Sequence, residues 1–226
     1  MSFHNGGKPI VTDGLVISLD ASSDRSYPKS GNVWYDLSGN NTNAEIESSV
    51  EFLSGSYWGG FKTLNSKVNS NQSINGTINM SSAEYTFEIW LMKSQSLSDE
   101  SAFGMHDGTV TSNGFRYNGG SFQCSNGGDW VDASLNYIAP LDAVAQLVLT
   151  RSGSNMNSYG NAIPAQNTLS ANTGSGIFTA FKMNKYGFTG SLNGFGGNYY
   201  IIRIYNRALT AEEVLQNYNA TKGRFL

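Results

Sequence analysis

An antiparallel β-sandwich with one short C-terminal helix is the all-β fold that this 226-residue sequence predicts, and three observations carry the prediction. Segments in which apolar and polar residues alternate recur along the chain, which is the period of a strand with one face in a core. Clusters of Gly, Asn and Ser separate those segments, and charged residues make up only 14% of the chain, as suits many short strands joined by polar turns. One convincing helix-start signal occurs, close to the C-terminus. All-β sandwiches of about 200–250 residues fold as single units, and at this size folding buries roughly 70% of the chain's surface without disulfide help. The chain therefore reads as an N-terminal arm, residues 1–13, and one domain, residues 14–226, with no linker and no internal repeat.

The elements follow in order. Residues 15–19 form a first short strand. In "EYTFEIWL" (84–91), Tyr85, Phe87, Ile89 and Leu91 share one face, while Glu84, Thr86, Glu88 and Trp90 share the other, which is expected to be only partly dry. Residues 101–106, 114–117, 121–124 and 178–181 are shorter strands. "VAQLVLTR" (144–151) reads as a more deeply buried one. "YYIIRIY" (199–205) is β-branched and aromatic throughout, as a central strand should be. At the helix, Thr210 and Glu213 have the spacing of a capping box, and Leu209 and Val214 that of a hydrophobic staple. A Val214/Leu215/Tyr218 stripe should face the sandwich, and Lys222-Gly223 should supply a basic last turn and a glycine stop.

Composition excludes several function classes. A net charge of −3 and a pI near 5.3 give no basic footprint for nucleic acid or an anionic membrane. Cys124, the single cysteine, cannot form an intrachain disulfide. No terminal segment resembles a signal peptide and no apolar run approaches the roughly 18 residues of a membrane helix, so synthesis and folding in a cytoplasm are expected. Triplets such as Asn75-Gly76-Thr77 are then loop composition and not glycosylation acceptors.

Few residues suit catalytic or metal chemistry. His4 and His106 lie in no spacing suited to zinc, and the chain has no Gly-x-Ser-x-Gly elbow. Glu84 and Glu88 share a strand face, the pattern a glycoside hydrolase needs for its two carboxyl groups, but a solvated strand face is the preferred reading. In "NVWYDLSGNNTN" (32–43), Asp36, Ser38, Asn40 and Thr42 alternate as calcium-loop ligands do, with Glu47 eleven positions beyond Asp36. Asn41 replaces the sharp-turn glycine and no helices flank the loop, which rejects an EF-hand. Asp36 with loop carbonyls remains the one calcium candidate. The preferred alternative has Asp36 and Ser38 bonding neighbouring amides in an Asx turn, and no cofactor is expected.

Aromatic side chains beside amides and carboxylates are what sugar rings need, since apolar C–H patches stack while hydroxyls find polar partners. Tyr57, Trp58 and Trp130 are the glycan-binding candidates. Trp34 stands behind them because, like Tyr35, it reads more readily as a lid on the core.

The order of segments resembles a known family. "GLVISLDASSDRSYPKSGNVWYDLSGNNTNAEI" (14–46) is similar to the opening of concanavalin A-like, laminin-G-like jelly-roll domains, and "YTFEIWLM" (85–92) to their "FTIEFWVK" strand. "QLVLTRSGSNMNSYGNAI" (146–163) resembles their "HVAVTRDGSTLKLYVNG" hairpin, and "GNYYIIRIYNRALTAEEVLQNYNATKGRF" (197–225) their terminal strand and helix. The resemblance implies a jelly-roll sandwich. Chains opening like residues 6–31 further resemble structural proteins of tailed bacteriophages. That implies a virion head-decoration, tail or fibre protein without a signal peptide, whose partners are other virion proteins, copies of itself and host-surface glycans. On a particle, neighbouring subunits are expected to hold residues 1–8 and 224–226. A stand-alone carbohydrate-binding module of a bacterial surface protein is the alternative, and a glycan hydrolase the next.

The departures from the family pattern matter. Asn41 and Ala44 replace two loop glycines, which weakens any carried-over calcium geometry, and Asn161-Ala162 must make a different hairpin turn. The Glu-x-Asp-x-x-Glu strand motif of the enzymes that share this fold is missing, so the expectation is a protein that recognises without reacting.

Overall fold

Two sheets stack face to face, and a third layer of helix and chain ends covers the outside of one of them. The structure, a computed structural model, describes residues 8–54, 58–64, 73–94, 100–106, 112–118, 121–125, 130–131, 141–165, 169–170, 177–184 and 193–225. Among these residues the strands run β1 (Leu15–Asp20), β2 (Val33–Trp34), β3 (Ala44–Ile46), β4 (Glu51–Leu53), β5 (Gly60–Thr63) and β6 (Ile74–Ser81). They continue as β7 (Glu84–Lys93), β8 (Glu100–His106), β9 (Ser112–Asn118), β10 (Ser121–Ser125), β11 (Trp130–Val131) and β12 (Val144–Ser152). The last are β13 (Asn155–Gly160), β14 (Ile163–Pro164), β15 (Leu169–Ser170), β16 (Ile177–Met183), β17 (Asn193–Gly194) and β18 (Gly197–Tyr205), followed by helix α1 (Ala211–Thr221).

The first sheet has the order β14-β13-β12-β7-β18-β5-β4, with β1 also on β18 and β15 on β13. The second has the order β11-β10-β9-β8-β16-β6-β3-β2, with β17 on β8. The fold is the expected two-sheet sandwich with one short C-terminal helix.

β7 organises the first sheet because both its neighbours are buried strands. Ile89 stands between Leu147 and Ile202, and Phe87 between Leu149 and Ile204. These inward residues meet Phe103, Phe115, Phe122, Phe178 and Phe181 from the second sheet in one continuous core. β18 is buried along its whole length, as its composition predicts.

The other face of β7 departs from expectation. Thr86, Glu88 and Trp90 are all sealed from water, because α1, the segment before β1 and the C-terminal residues lie across them. The helix begins as predicted. The Glu213 amide donates to Thr210 Oγ1 (3.3 Å), the Thr210 amide donates to Glu213 Oε2 (2.9 Å), and Leu209 and Val214 share an apolar cluster. Its buried stripe is Val214, Asn217 and Thr221, and Leu215 points outward at 48% exposure. Spacings of three and four keep Asn217 and Thr221 above Val214, whereas a residue one position on is turned about 100° away. The helix does not stop at Gly223. It tightens into a 3₁₀ turn over Lys222–Arg224, which carries Phe225 onto the sheet.

The two-residue turn between β13 and β14 has Asn161 at φ 51° and Ala162 at φ 61°, the left-handed pair of a type I′ hairpin. Alanine thus holds a left-handed position that favours glycine.

Candidate glycan-binding surface

Glu84 and Glu88, read from the sequence as a solvated strand face, differ in exposure because the third layer covers only Glu88. Glu84 is exposed and takes hydrogen bonds from Ser152 Oγ (3.0 Å) and the Gly153 amide (3.1 Å). Glu88 is 1% exposed. Its Oε1 accepts from Arg203 Nη1 (2.7 Å), Trp90 Nε1 (2.9 Å) and Gln146 Nε2 (2.9 Å), and its Oε2 from Asn217 Nδ2 (2.7 Å). Asn217 in turn accepts from the Val11 amide, and Tyr205 Oη donates to the Val11 carbonyl. This network fastens sheet, helix and N-terminal segment together. No polysaccharide can reach Glu88 while the helix is in place.

Asp36 makes the turn that the sequence favoured. Its Oδ1 accepts from the amides of Ser18 and Ser38 (2.8 and 2.9 Å), and its Oδ2 from Ser38 Oγ (2.6 Å) and the Thr42 amide (3.3 Å). Asn40 Nδ2 reaches the carbonyls of Leu15 and Val16, and the Leu37 amide reaches the Ser18 carbonyl. Asn41 takes φ 57° where the family has glycine. Among the described residues, three or more His, Cys, Asp or Glu side chains nowhere gather as a metal group.

The aromatic candidates separate. Trp34 is fully buried with its ring 4.7 Å from Phe61, so it belongs to the core and offers no face to a ligand. Tyr35 beside it is 44% exposed. Tyr57 and His4 lie outside the described residues. Trp130 is placed by its backbone opposite Ser125, and His106 opposite Ser112, but their side chains lie outside the described set.

Trp58 is the candidate that can be placed, and it stands in a corner with polar company. It is half-buried, edge-on to Tyr200 (6.3 Å) and Phe225 (5.8 Å). Phe225 also packs on Trp90 (5.2 Å), and the Arg224 guanidinium lies 5.1 Å from the Phe225 ring. Arg224 forms a two-pronged pair with Asp20, Nη1 to Oδ2 at 2.6 Å and Nη2 to Oδ1 at 3.1 Å. Ser22 donates to Asp20 Oδ1 from both its amide and its hydroxyl, each at 3.0 Å. Gly59, at φ +50°, closes the corner, since a Cβ there would lie 3.2 Å from the Ala21 carbonyl and the Ser22 Cα. Arg224 and Phe225 are thus held by contacts within their own domain. Asp20 and Arg224 were missed as site residues, because a contact spanning 204 residues leaves no local signal.

A second buried charge pair lies between the sheets. Lys93 and Glu100 are both fully enclosed and hydrogen-bonded, with the ammonium 3.8 Å from the centre of the Tyr117 ring. Burial pulls the Lys93 ammonium below its ordinary value, against the opposing pull of Glu100. Burial also pushes the Cys124 thiol up to about 12, far from a reactive thiolate.

A family model for the concanavalin A-like lectin/glucanases superfamily matches residues 65–215, more than half of the chain. No curated protein sequence matches. Among solved structures, Trypanosoma rangeli sialidase in complex with 2,3-difluorosialic acid is similar over 93% of this chain, with 13% identity and a TM-score of 0.69. The chain spans 33% of that sialidase. The binding domain of Paraclostridial Mosquitocidal Protein 1 is similar over 92% of this chain and 52% of its own, with 21% identity and a TM-score of 0.67. Domain 4 of AbnA, a GH43 extracellular arabinanase from Geobacillus stearothermophilus, in complex with arabinotriose, is similar over 90% of this chain and 98% of its own, with 14% identity and a TM-score of 0.67. At these identities the likeness is one of fold. Within the described residues, no helix is long and apolar enough to cross a membrane.

Proposed function

Because this chain belongs to the concanavalin A-like lectin/glucanase superfamily, we propose that it is a carbohydrate-binding domain that recognises glycans and does not cleave them. The observation that carries the reading is the Trp58 corner, where a half-exposed indole sits beside the part-exposed Asp20–Arg224 pair. Stacking on the ring supplies contact area at low entropic cost, and the ion pair supplies directional hydrogen bonds. The relatives support the same direction. Two of the three named above were solved with sugars, and one of those is a separate domain of an arabinanase that this chain matches over nearly all of that domain's length. Enclosure of Glu88 supports recognition without turnover, since it leaves Glu84 without an accessible second acid on its own strand face.

A structural part of a phage particle, the reading suggested by residues 6–31, stands second. None of the relatives named above is a virion protein, so the order of the two readings is reversed from that expected of the sequence. The two are compatible if weak single sites act through many copies on one particle. Recovery of the protein from purified particles is the observation that would favour the second reading.

The test is binding to a glycan array, followed by calorimetry on the hits with wild type and Trp58→Ala. Loss of affinity on the order of ten-fold or more is expected from removing a stacking ring, with no reducing sugar released by either protein. Undiminished binding by Trp58→Ala would place the site elsewhere, and turnover would make the domain an enzyme.

A further inference from the structure

We infer that the Asp20–Arg224 pair beside Trp58 is a subsite for an uncharged sugar unit presenting two adjacent hydroxyls, and that it discriminates against sugar acids. This rests on the carbohydrate-binding reading above and adds the chemical class of the ligand. A guanidinium has five N–H donors. Arg224 gives two of them to Asp20, and its three others meet no further hydrogen-bond partner among the described residues. On the carboxylate, Oδ1 accepts three hydrogen bonds, whereas among the described residues Oδ2 accepts one, from Nη1. Spare donors therefore lie directly beside a spare acceptor, on side chains that are 32% and 22% exposed, within reach of solvent but not flooded by it.

A hydroxyl both donates and accepts. Two neighbouring hydroxyls can take N–H bonds from Arg224 while one of them donates to Asp20 Oδ2, which satisfies both partners at once. A carboxylate cannot do this. It competes with Asp20 for the same guanidinium, has no proton to give, and is repelled by a fixed negative charge at hydrogen-bond distance. Ser22, exposed and donating to Asp20 Oδ1, keeps that carboxylate oriented. Lys222, two positions before Arg224, leans over the Tyr218 ring with its ammonium 5.1 Å from the ring centre.

The experiment uses the wild-type protein first. Calorimetry would compare arabinotriose, cellotriose and mannotriose with trigalacturonate, at about 50 mM and about 500 mM NaCl, salts that differ several-fold in screening length. At least one neutral trisaccharide should bind at least about ten-fold more tightly than trigalacturonate, with an affinity that does not change with salt. Asp20→Asn should weaken neutral-sugar binding by on the order of ten-fold and shrink the discrimination against trigalacturonate, a change that simple loss of folding would not produce. Trigalacturonate bound as tightly as the neutral sugars, or more tightly with affinity falling as salt rises, would overturn the inference while leaving the carbohydrate-binding reading in place. Wild type that binds no sugar here or on the glycan array would overturn both.

Discussion

Glu88 and Lys93 stand on the same strand, both shut away from water and both paired with an opposite charge, yet the two pairs are built differently. Glu88 faces outward, under the helix, and its two oxygens take four hydrogen bonds from the first sheet and α1. Lys93 faces inward at the end of the core, held by one carboxylate from the second sheet and by the face of an aromatic ring. The first pair is the centre of a polar network, and the second is a bridge between layers. Burying charge is costly in both places, and at Glu88 four donors depend on the acid.

Removing Glu88 should have the largest effect. Glu88→Ala leaves Arg203 charged and enclosed and strands the donors of Trp90, Gln146 and Asn217, so denaturant unfolding should report a loss of about 3–5 kcal/mol. Lys93→Met alone should cost about 3 kcal/mol, because the enclosed Glu100 carboxylate loses the ammonium paired with it. The contrast sharpens in double replacements. Lys93→Met with Glu100→Leu should recover most of that loss, because well-packed apolar groups often replace a buried ion pair at little cost. Glu88→Leu with Arg203→Met should recover little, because the remaining donors are still unpaired. Equal recovery in both would dissolve the distinction.

Alkaline pH probes both sides of the strand. Burial raises Tyr205 in the outer network, and Tyr85, Tyr199 and the Cys124 thiol inside the core. A group whose folded value is raised contributes stability that is present below its unfolded value, 9.0 for the thiol and 10.0 for the phenols, and loses it as pH climbs toward the folded value. Lys93 has the opposite sign. Its lowered folded value makes it release a proton before the unfolded chain does, so its contribution rises as pH approaches 10.5. The raised groups outnumber it, because burial raises Tyr27, Tyr159 and Tyr200 as well. The melting temperature should therefore hold to about pH 9 and fall steeply beyond about pH 10, and a flat profile to pH 11 would contradict the enclosure of these tyrosines.

Thr210→Ala should have the smallest effect, about 1 kcal/mol from the lost cap. Amide exchange should then quicken over α1 and leave the interior strands unaffected. Uniform quickening would mean that the helix and the sandwich open as one unit.

The difference between the two pairs also explains what could be read from the sequence. β7 was legible from its alternation, β12 and β18 from dense apolar runs whose two faces are both buried, and the cap of α1 because Thr210 and Glu213 are only three positions apart. Glu88 looked like a solvated strand residue because alternation gives a strand two faces and says nothing of what covers the second. The Leu215 error has the same origin, since a stripe can be laid out from spacing, but which part faces the sheet depends on Asn217 meeting Glu88. The aromatics divide in the same way. Trp34 and Trp58 both sit beside polar loops in sequence, and only the fold sends one into the core and leaves the other half-exposed against Tyr200 and Phe225.

The turn at Asp36 has a consequence beyond its own geometry. β1 pairs with β18 on one side, no described strand pairs with its other side, and an outer strand with open peptide groups invites the sheet of another molecule to add on. Here the carbonyls of Leu15 and Val16 and both peptide groups of Ser18 are already taken by Asp36, Leu37, Ser38 and Asn40. The loop acts as a substitute neighbour, so crowded copies of the domain find no template for intermolecular β-pairing along that stretch of β1.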